Sequence, residues 1–168
     1  MKLKIGLIGF GKTGKAVASV ILHNQDFSLE WVYRQSSQLD KRSVPEFLGV
    51  TSDELGIIYS AASTSIEEVL KQQPVDFIID FSSNDGIYSY GQIAANQKIK
   101  IISAISHYSD KEIEYLKELS KSTTVFWSPN ITLGVNFLLF ASRFLKNIAP
   151  WVDIEIIEEH FKGKVGLS

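Results

Sequence analysis

The sequence predicts an α/β protein with an all-parallel, doubly wound sheet. Three observations carry that prediction. Short apolar runs recur along the first 127 residues, each of strand length. Amphipathic stretches that open on helix-capping residues lie between most of them. The first run leads straight into Gly9-Phe10-Gly11-Lys12-Thr13-Gly14, a glycine fingerprint set between a strand and a helix. Repeated strand–helix–strand units give a parallel sheet with helices on both faces.

Leu3–Ile8 is an apolar run broken only by Lys4, and reads as a strand buried on both faces. Residues 12–23 follow as a helix, with Ala16, Val17, Val20 and Ile21 on one face. Residues 29–33 are the second strand. Residues 35–56 are polar and irregular, with a short helical turn over residues 45–48. Ile57–Ser60 is the third strand. Thr64 or Ser65 caps a helix that reaches Gln72, with Glu67 and Glu68 in the first turn, where the helix dipole favours acids. Residues 75–81 are the fourth strand. Residues 84–96 read as a helix in spite of interior glycines, which weaken it. Residues 99–103 are the fifth strand. Ser109, with Glu112 after it, forms a capping box for a helix to Ser120. Residues 124–127 are the sixth strand. After Pro129 the pattern changes: Leu133–Ile148 is a long apolar helix, and residues 152–159 alternate as a strand. A lone strand cannot bury its edges. Residues 1–129 therefore read as one domain, and residues 130–168 as the incomplete start of a second, α+β domain or a strand that pairs with another copy.

Composition narrows the function. The 168 residues, 45% of them hydrophobic, suffice for one full core and part of a second. A net charge of −2 offers no nucleic-acid surface. The absence of cysteine excludes disulfides, thiolate metal sites and a cysteine nucleophile, and no metal site is expected. The chain runs into its first strand without a signal-like segment. Its longest apolar stretch, interrupted by Asn136 and Arg143, is shorter than the roughly 20 residues of a membrane span. The expectation is a soluble, cytoplasmic protein with no membrane partner.

The fingerprint makes the first domain Rossmann-type, with a dinucleotide as its ligand. Gly9 permits the tight turn, Gly11 leaves no side chain in the way of the pyrophosphate, and Gly14 lets the helix pack on the strand. Phe10, Lys12 and Thr13 complete the phosphate turn, whose anion sits at a helix N-terminus. The end of the second strand selects the nicotinamide cofactor. An acidic residue there would bind the ribose 2′-hydroxyl. This chain instead has Val32-Tyr33-Arg34-Gln35-Ser36-Ser37. Arg34 suits a 2′-phosphate, Ser36 and Ser37 can donate to it, and Tyr33 or Arg34 can stack on adenine. NADPH is the expected cofactor, with NADH possible. The competing reading of Arg34 is a solvated strand-end arginine.

Four later segments carry the remaining polar groups. They are Asp80-Phe81-Ser82, Ser103-Ala104-Ile105-Ser106-His107, Ser128-Pro129-Asn130-Ile131-Thr132-Leu133-Gly134-Val135-Asn136, and Glu158-Glu159-His160-Phe161-Lys162-Gly163-Lys164. On residue type alone, Asp80 is a helix cap, Asn136 a satisfier of nearby backbone, His107 a loop histidine, His160 a strand-end polar residue and Lys164 a solvated lysine. In their order and spacing, however, these segments and the fingerprint resemble the dihydrodipicolinate reductase family over essentially the whole chain. The resemblance implies hydride transfer from NAD(P)H to a cyclic, unsaturated dicarboxylate in lysine (diaminopimelate) biosynthesis. It also implies a dinucleotide domain followed by a substrate and oligomerisation domain, assembled as a tetramer. His160 and Lys164 match the family's catalytic pair, of which one holds charge or a carboxylate and the other supplies a proton. Phe81, Ser82, Ser103, Ile105 and Asn130 match positions on the nicotinamide side.

Three departures stand beside the resemblance. Ser103-Ala104-Ile105-Ser106 replaces the family's Gly-Thr-Thr-Gly. Phe161 replaces the second member of a histidine pair. Gly166-Leu167-Ser168 stands where the family continues with Asp-Ala-Pro-Ser-Gly-Thr. Two alternatives follow from them: an NADP-linked dehydrogenase of another amino or oxo acid, and a non-catalytic dinucleotide-binding module with the long apolar helix as its assembly surface.

Overall fold

The computed structural model describes residues 1–155 and residue 157. Its elements alternate as β1 (Leu3–Ile8), α1 (Lys12–Leu22), β2 (Phe27–Arg34), α2 (Val44–Leu48), β3 (Ile57–Ser60), α3 (Ile66–Gln72), β4 (Phe77–Asp80), α4 (Ile87–Asn96), β5 (Lys100–Ser103), α5 (Asp110–Ser120), β6 (Val125–Trp127) and α6 (Leu133–Ile148). A one-turn 3-10 helix, Ser37–Leu39, interrupts the link between β2 and α2. The strands form one sheet in the order β3-β2-β1-β4-β5-β6, and every ladder is parallel. Strand order reverses between β1 and β4. A sheet wound this way opens a crevice outside the carboxyl ends of those two strands.

The two faces of the sheet bury separate cores. Ala18 and Ile21 of α1, Val44 of α2, and Ile5 and Leu7 of β1 fill one. Val69 and Leu70 of α3, Tyr90 and Ala94 of α4, and Leu116 and Leu119 of α5 fill the other. Within β2, Leu29 and Val32 face the first core, whereas Trp31 and Tyr33 face the second. The β1–β2 register slips at one point: Ile5 lies opposite Leu29, but Gly6 lies opposite Trp31. A bulge of this kind re-aims a side chain. It lays the indole of Trp31 over Gly6, where an added Cβ would come within 2.2 Å of the ring. Trp31 is fully buried, and its Nε1 donates to the Gln73 carbonyl at 3.0 Å.

Two helices begin with carboxylate clamps. Ser65 and Glu68 bond reciprocally at the start of α3. The Ser109 N–H and hydroxyl both donate to Glu112 at the start of α5, at 2.9 and 2.6 Å. α4 begins at Ile87, three residues later than expected, because Ser83, Asn84 and Asp85 make a turn of their own. The Ser83 hydroxyl donates to Asp85 at 2.6 Å, and the Gly86 N–H to the Ser83 carbonyl at 3.1 Å. Short polar side chains compete with the helix in this way.

The expected strand over residues 152–159 is not found in the part that is described. Residues 152–155 follow a turn as a bend and coil and pair with nothing in the sheet. A strand needs a neighbour to accept its backbone bonds, and the described residues supply none there. α6 is a regular helix with no buried residue among those described. Leu133 is 87% exposed, Phe137 63% and Phe140 66%. No helix among the described residues is long and apolar enough to cross a membrane.

Candidate functional site

β1 ends in a turn that only glycine can make. Gly9 has φ +90°, and its N–H donates to the Tyr33 carbonyl at 2.9 Å. A Cβ on Gly9 would lie 2.6 Å from the Phe81 carbonyl oxygen, so the β1–α1 and β4–α4 turns touch backbone to backbone. Gly14 seals the same junction from the helix side, its Cβ position lying 2.2 Å from the Gly9 carbonyl. Gly11 is different. It caps α1 with an ordinary φ of −76°, and nothing lies within 4 Å of where its Cβ would be. The first turn of α1 contains no acidic residue, and its cap has no side chain. Its backbone N–H groups and dipole are therefore left for an anion.

A crevice of about 380 Å³ opens there, lined by Gly9, Phe10 and Gly11 on one side, Arg34, Gln35 and Ser36 on another, and Phe81, Ser82 and Ser83 on a third. Arg34 makes no ion pair among the described residues. The Ser36 oxygen accepts from the Gln38 N–H at 3.4 Å, which leaves its proton free to donate. Tyr33 is not available to stack on a base. It is buried in the crevice floor, and its hydroxyl donates to the Thr64 carbonyl at 3.0 Å. Burial raises its pKa.

Asp80 is not a helix cap. It is wholly buried at the end of β4, where it accepts from the Ser82 N–H at 2.8 Å, the Ser82 hydroxyl at 2.6 Å and the Tyr90 hydroxyl at 2.8 Å. Burial outweighs these three donors and pushes the carboxyl up from its ordinary value. The same burial, with Asp80 beside it, raises the Tyr90 phenol far above its usual range. This cluster holds the Phe81-Ser82-Ser83 turn, the wall that the crevice shares with a second compartment. That compartment, about 400 Å³, is lined by Thr13, Asn84, Ile105 and His107 among others.

The sequence-predicted site residues are thus divided. Gly9, Phe10, Gly11, Arg34, Phe81 and Ser82 meet in the crevice, and Thr13 and Ile105 line the compartment beside it. Ser103 does not reach either space. It is fully buried, and its hydroxyl pairs with the Tyr108 hydroxyl at 2.9 Å. Asn130 lies outside both. Its side-chain oxygen accepts from Thr132, and its carbonyl accepts from Ser128 and Asn136. Lys12 opens α1 without lining the crevice. His160 and Lys164 lie outside the described residues. Among the described residues no cluster of acids and histidines could hold a metal ion.

A sequence model of the N-terminal region of dihydrodipicolinate reductase matches residues 3–131. The chain belongs to the dihydrodipicolinate reductase family. Relatives named 4-hydroxy-tetrahydrodipicolinate reductase include one from Caldanaerobacter subterraneus subsp. tengcongensis, 30% identical over 92% of this chain and 53% of its own length. Another, from Polynucleobacter necessarius subsp. necessarius, is 30% identical over 97% of this chain and 59% of its own. The chain therefore spans little more than half the length of these dihydrodipicolinate reductase relatives. Solved structures agree on the fold. A dipicolinate-bound dihydrodipicolinate reductase from Paenisporosarcina sp. TG-14 superposes with a TM-score of 0.67 at 12% identity, covering 87% of this chain and 54% of that one. A scyllo-inositol dehydrogenase from Lactobacillus casei, with bound NAD(H) and scyllo-inositol, gives 0.62 at 16% identity, covering 89% and 42%.

Proposed function

We propose that this chain is the cofactor-binding part of an NADPH-dependent 4-hydroxy-tetrahydrodipicolinate reductase of lysine biosynthesis, with NADH as a possible second cofactor. One observation carries the reading: a crevice at the β1/β4 reversal, where the glycine turn, an unobstructed helix N-terminus and Arg34 share one space. These residues fit a dinucleotide. The α1 amides would hold the pyrophosphate, Gly11 would let it approach, and Arg34 with Ser36 would hold a 2′-phosphate. The bound cofactor supplies a hydride. The Phe81-Ser82-Ser83 turn, fixed by Asp80, would support the nicotinamide end, and Ile105 would flank it. His160 and Lys164 would hold the dicarboxylate and supply the proton. The wide apolar surface of α6 supports an association with further protein, as a homo-oligomer.

Calorimetric titration with NADPH and then NADH tests the cofactor half. Micromolar binding, tighter for NADPH, is expected; no binding of either refutes the reading. Loss of nicotinamide absorbance with freshly generated substrate, measured on a full-length version of the protein, tests the reaction. Binding without turnover would favour the non-catalytic module, and turnover of a different oxo acid would favour the divergent dehydrogenase.

A further inference from the structure

The compartment beyond the Phe81-Ser82-Ser83 turn holds one side chain able to carry charge. Its other lining residues are hydroxyl, amide and apolar. That side chain is His107, exposed in the loop after β5, with no hydrogen bond or ion pair among the described residues. The contrast with His23 is plain: its Nδ1 lies 2.7 Å from the Ser19 carbonyl.

The loop that carries His107 is tied down on both sides. The Ala104 N–H donates to the Asp80 carbonyl at 3.0 Å, and the Trp127 indole N–H to the Ile105 carbonyl at 2.9 Å. After His107, Tyr108 bonds Ser103 and packs on the Trp127 ring at 5.8 Å between centroids. The backbone that carries His107 is thereby held in place beside the compartment. Two of the neighbouring hydroxyls are already committed. The Ser82 hydroxyl donates to Asp80, and the Ser83 hydroxyl to Asp85. An anionic group entering this compartment can also meet Thr13, Asn84 and Ser106, but His107 is the one lining side chain that can carry a positive charge.

We infer that His107 is a substrate-binding residue whose imidazole N–H donates to a carboxylate of the acidic ring. The inference rests on the dinucleotide reading, because the wall shared by the two spaces lets a cofactor in the crevice present its reactive end beside this compartment. His107 then anchors the ring from the dinucleotide domain itself, independently of residues 158–168.

The test is an NMR titration of the histidine-labelled chain with dipicolinate, once saturated with NADPH and once cofactor-free. The chain has three histidines, so their imidazole signals are separable. The His107 signals should shift saturably while those of His23 stay still, and the diol analogue of dipicolinate, which lacks carboxylates, should move neither. His107→Phe should weaken dipicolinate about tenfold, the loss of one hydrogen bond to a charged group, with NADPH affinity unchanged. His107→Gln should recover part of the loss. A His107 signal that does not respond overturns the inference, as does a His107→Phe chain that loses NADPH and dipicolinate affinity equally. Failure of NADPH to bind refutes the dinucleotide reading separately, and the cofactor-free titration still decides the role of His107.

Discussion

Gly9 and Gly11 are two residues apart, yet alanine at each should fail in a different way. At Gly9 two costs add. A non-glycine residue at φ +90° is strained by about 1–3 kcal/mol. The new Cβ would also sit 2.6 Å from the Phe81 oxygen and 2.8 Å from the Ser82 nitrogen, both backbone atoms that cannot rotate aside. One of the two turns must move. A total near 3 kcal/mol is expected, which for a chain of this size lowers the melting temperature by roughly 6–12 °C. Because the displaced turn is a wall of the crevice, NADPH affinity falls as well. At Gly11 the backbone is ordinary and the space empty, so alanine should shift stability by less than about 0.5 kcal/mol. Its methyl would nevertheless stand where the pyrophosphate meets the α1 amides. An affinity loss of tenfold or more, about 1.4 kcal/mol, is expected. Thermal unfolding by circular dichroism and calorimetry with NADPH separate the two effects. A Gly11→Ala chain that binds NADPH like the wild type would refute the placement of the phosphates. A Gly9→Ala chain that melts at the wild-type temperature would refute the contact between the turns.

Three further outcomes follow from the same geometry. Arg34→Ala should weaken NADPH several-fold more than NADH in calorimetry, and an equal effect on both would remove the 2′-phosphate argument. Asp80→Ala should cost about 2 kcal/mol or more in urea unfolding, since the Tyr90 hydroxyl and the Ser82 N–H would lose their acceptor. Asp80→Asn keeps one acceptor and should cost less. The sign with pH is unusual for a carboxylate: the folded pKa is raised, so this group's contribution is full below 3.8 and lost as pH rises through the folded value. Wild type should therefore lose stability relative to Asp80→Asn as pH climbs from about 4, and a flat difference would count against the buried carboxylate. Glu112 has the opposite sign. Ser109 and Tyr88 donate to it and hold it down to about 2 from an ordinary 4.5, so its contribution is present above 4.5 and lost as pH falls toward 2. Glu112→Gln should flatten that part of the acid-unfolding curve.

Most of the sheet was legible because local signals and tertiary need agree. β1 is apolar and buried from Ile5 to Ile8, with Leu3 and Lys4 exposed at its start, and the Ser65 and Ser109 clamps stand where the capping pattern placed them. The errors share a cause. The start of α4 depends on side chains of Ser83 and Asp85 choosing each other over the helix. Ser103 matched a family position by its place at the end of β5, yet it faces inward, where its hydroxyl pairs with Tyr108. Residues 152–155 alternate as a strand should, but alternation supplies no partner. The aromatic residues Tyr108 and Trp127 beside that loop were the available signal that it is held from within.

The alternation of strands and helices, the glycine turn and the absence of an acid at the end of β2 can all be read along the chain. Each of these is written in residues close along the chain: a period, a cap, a backbone freedom. That Gly6 must be glycine because Trp31 lies over it, that Asp80 holds a turn through Tyr90, and that His107 lines a compartment beside the crevice emerge from the folded molecule alone. Those facts join residues far apart in the chain. They depend on strand order, on a one-residue slip in register and on which donors are already taken, and a linear pattern carries none of these.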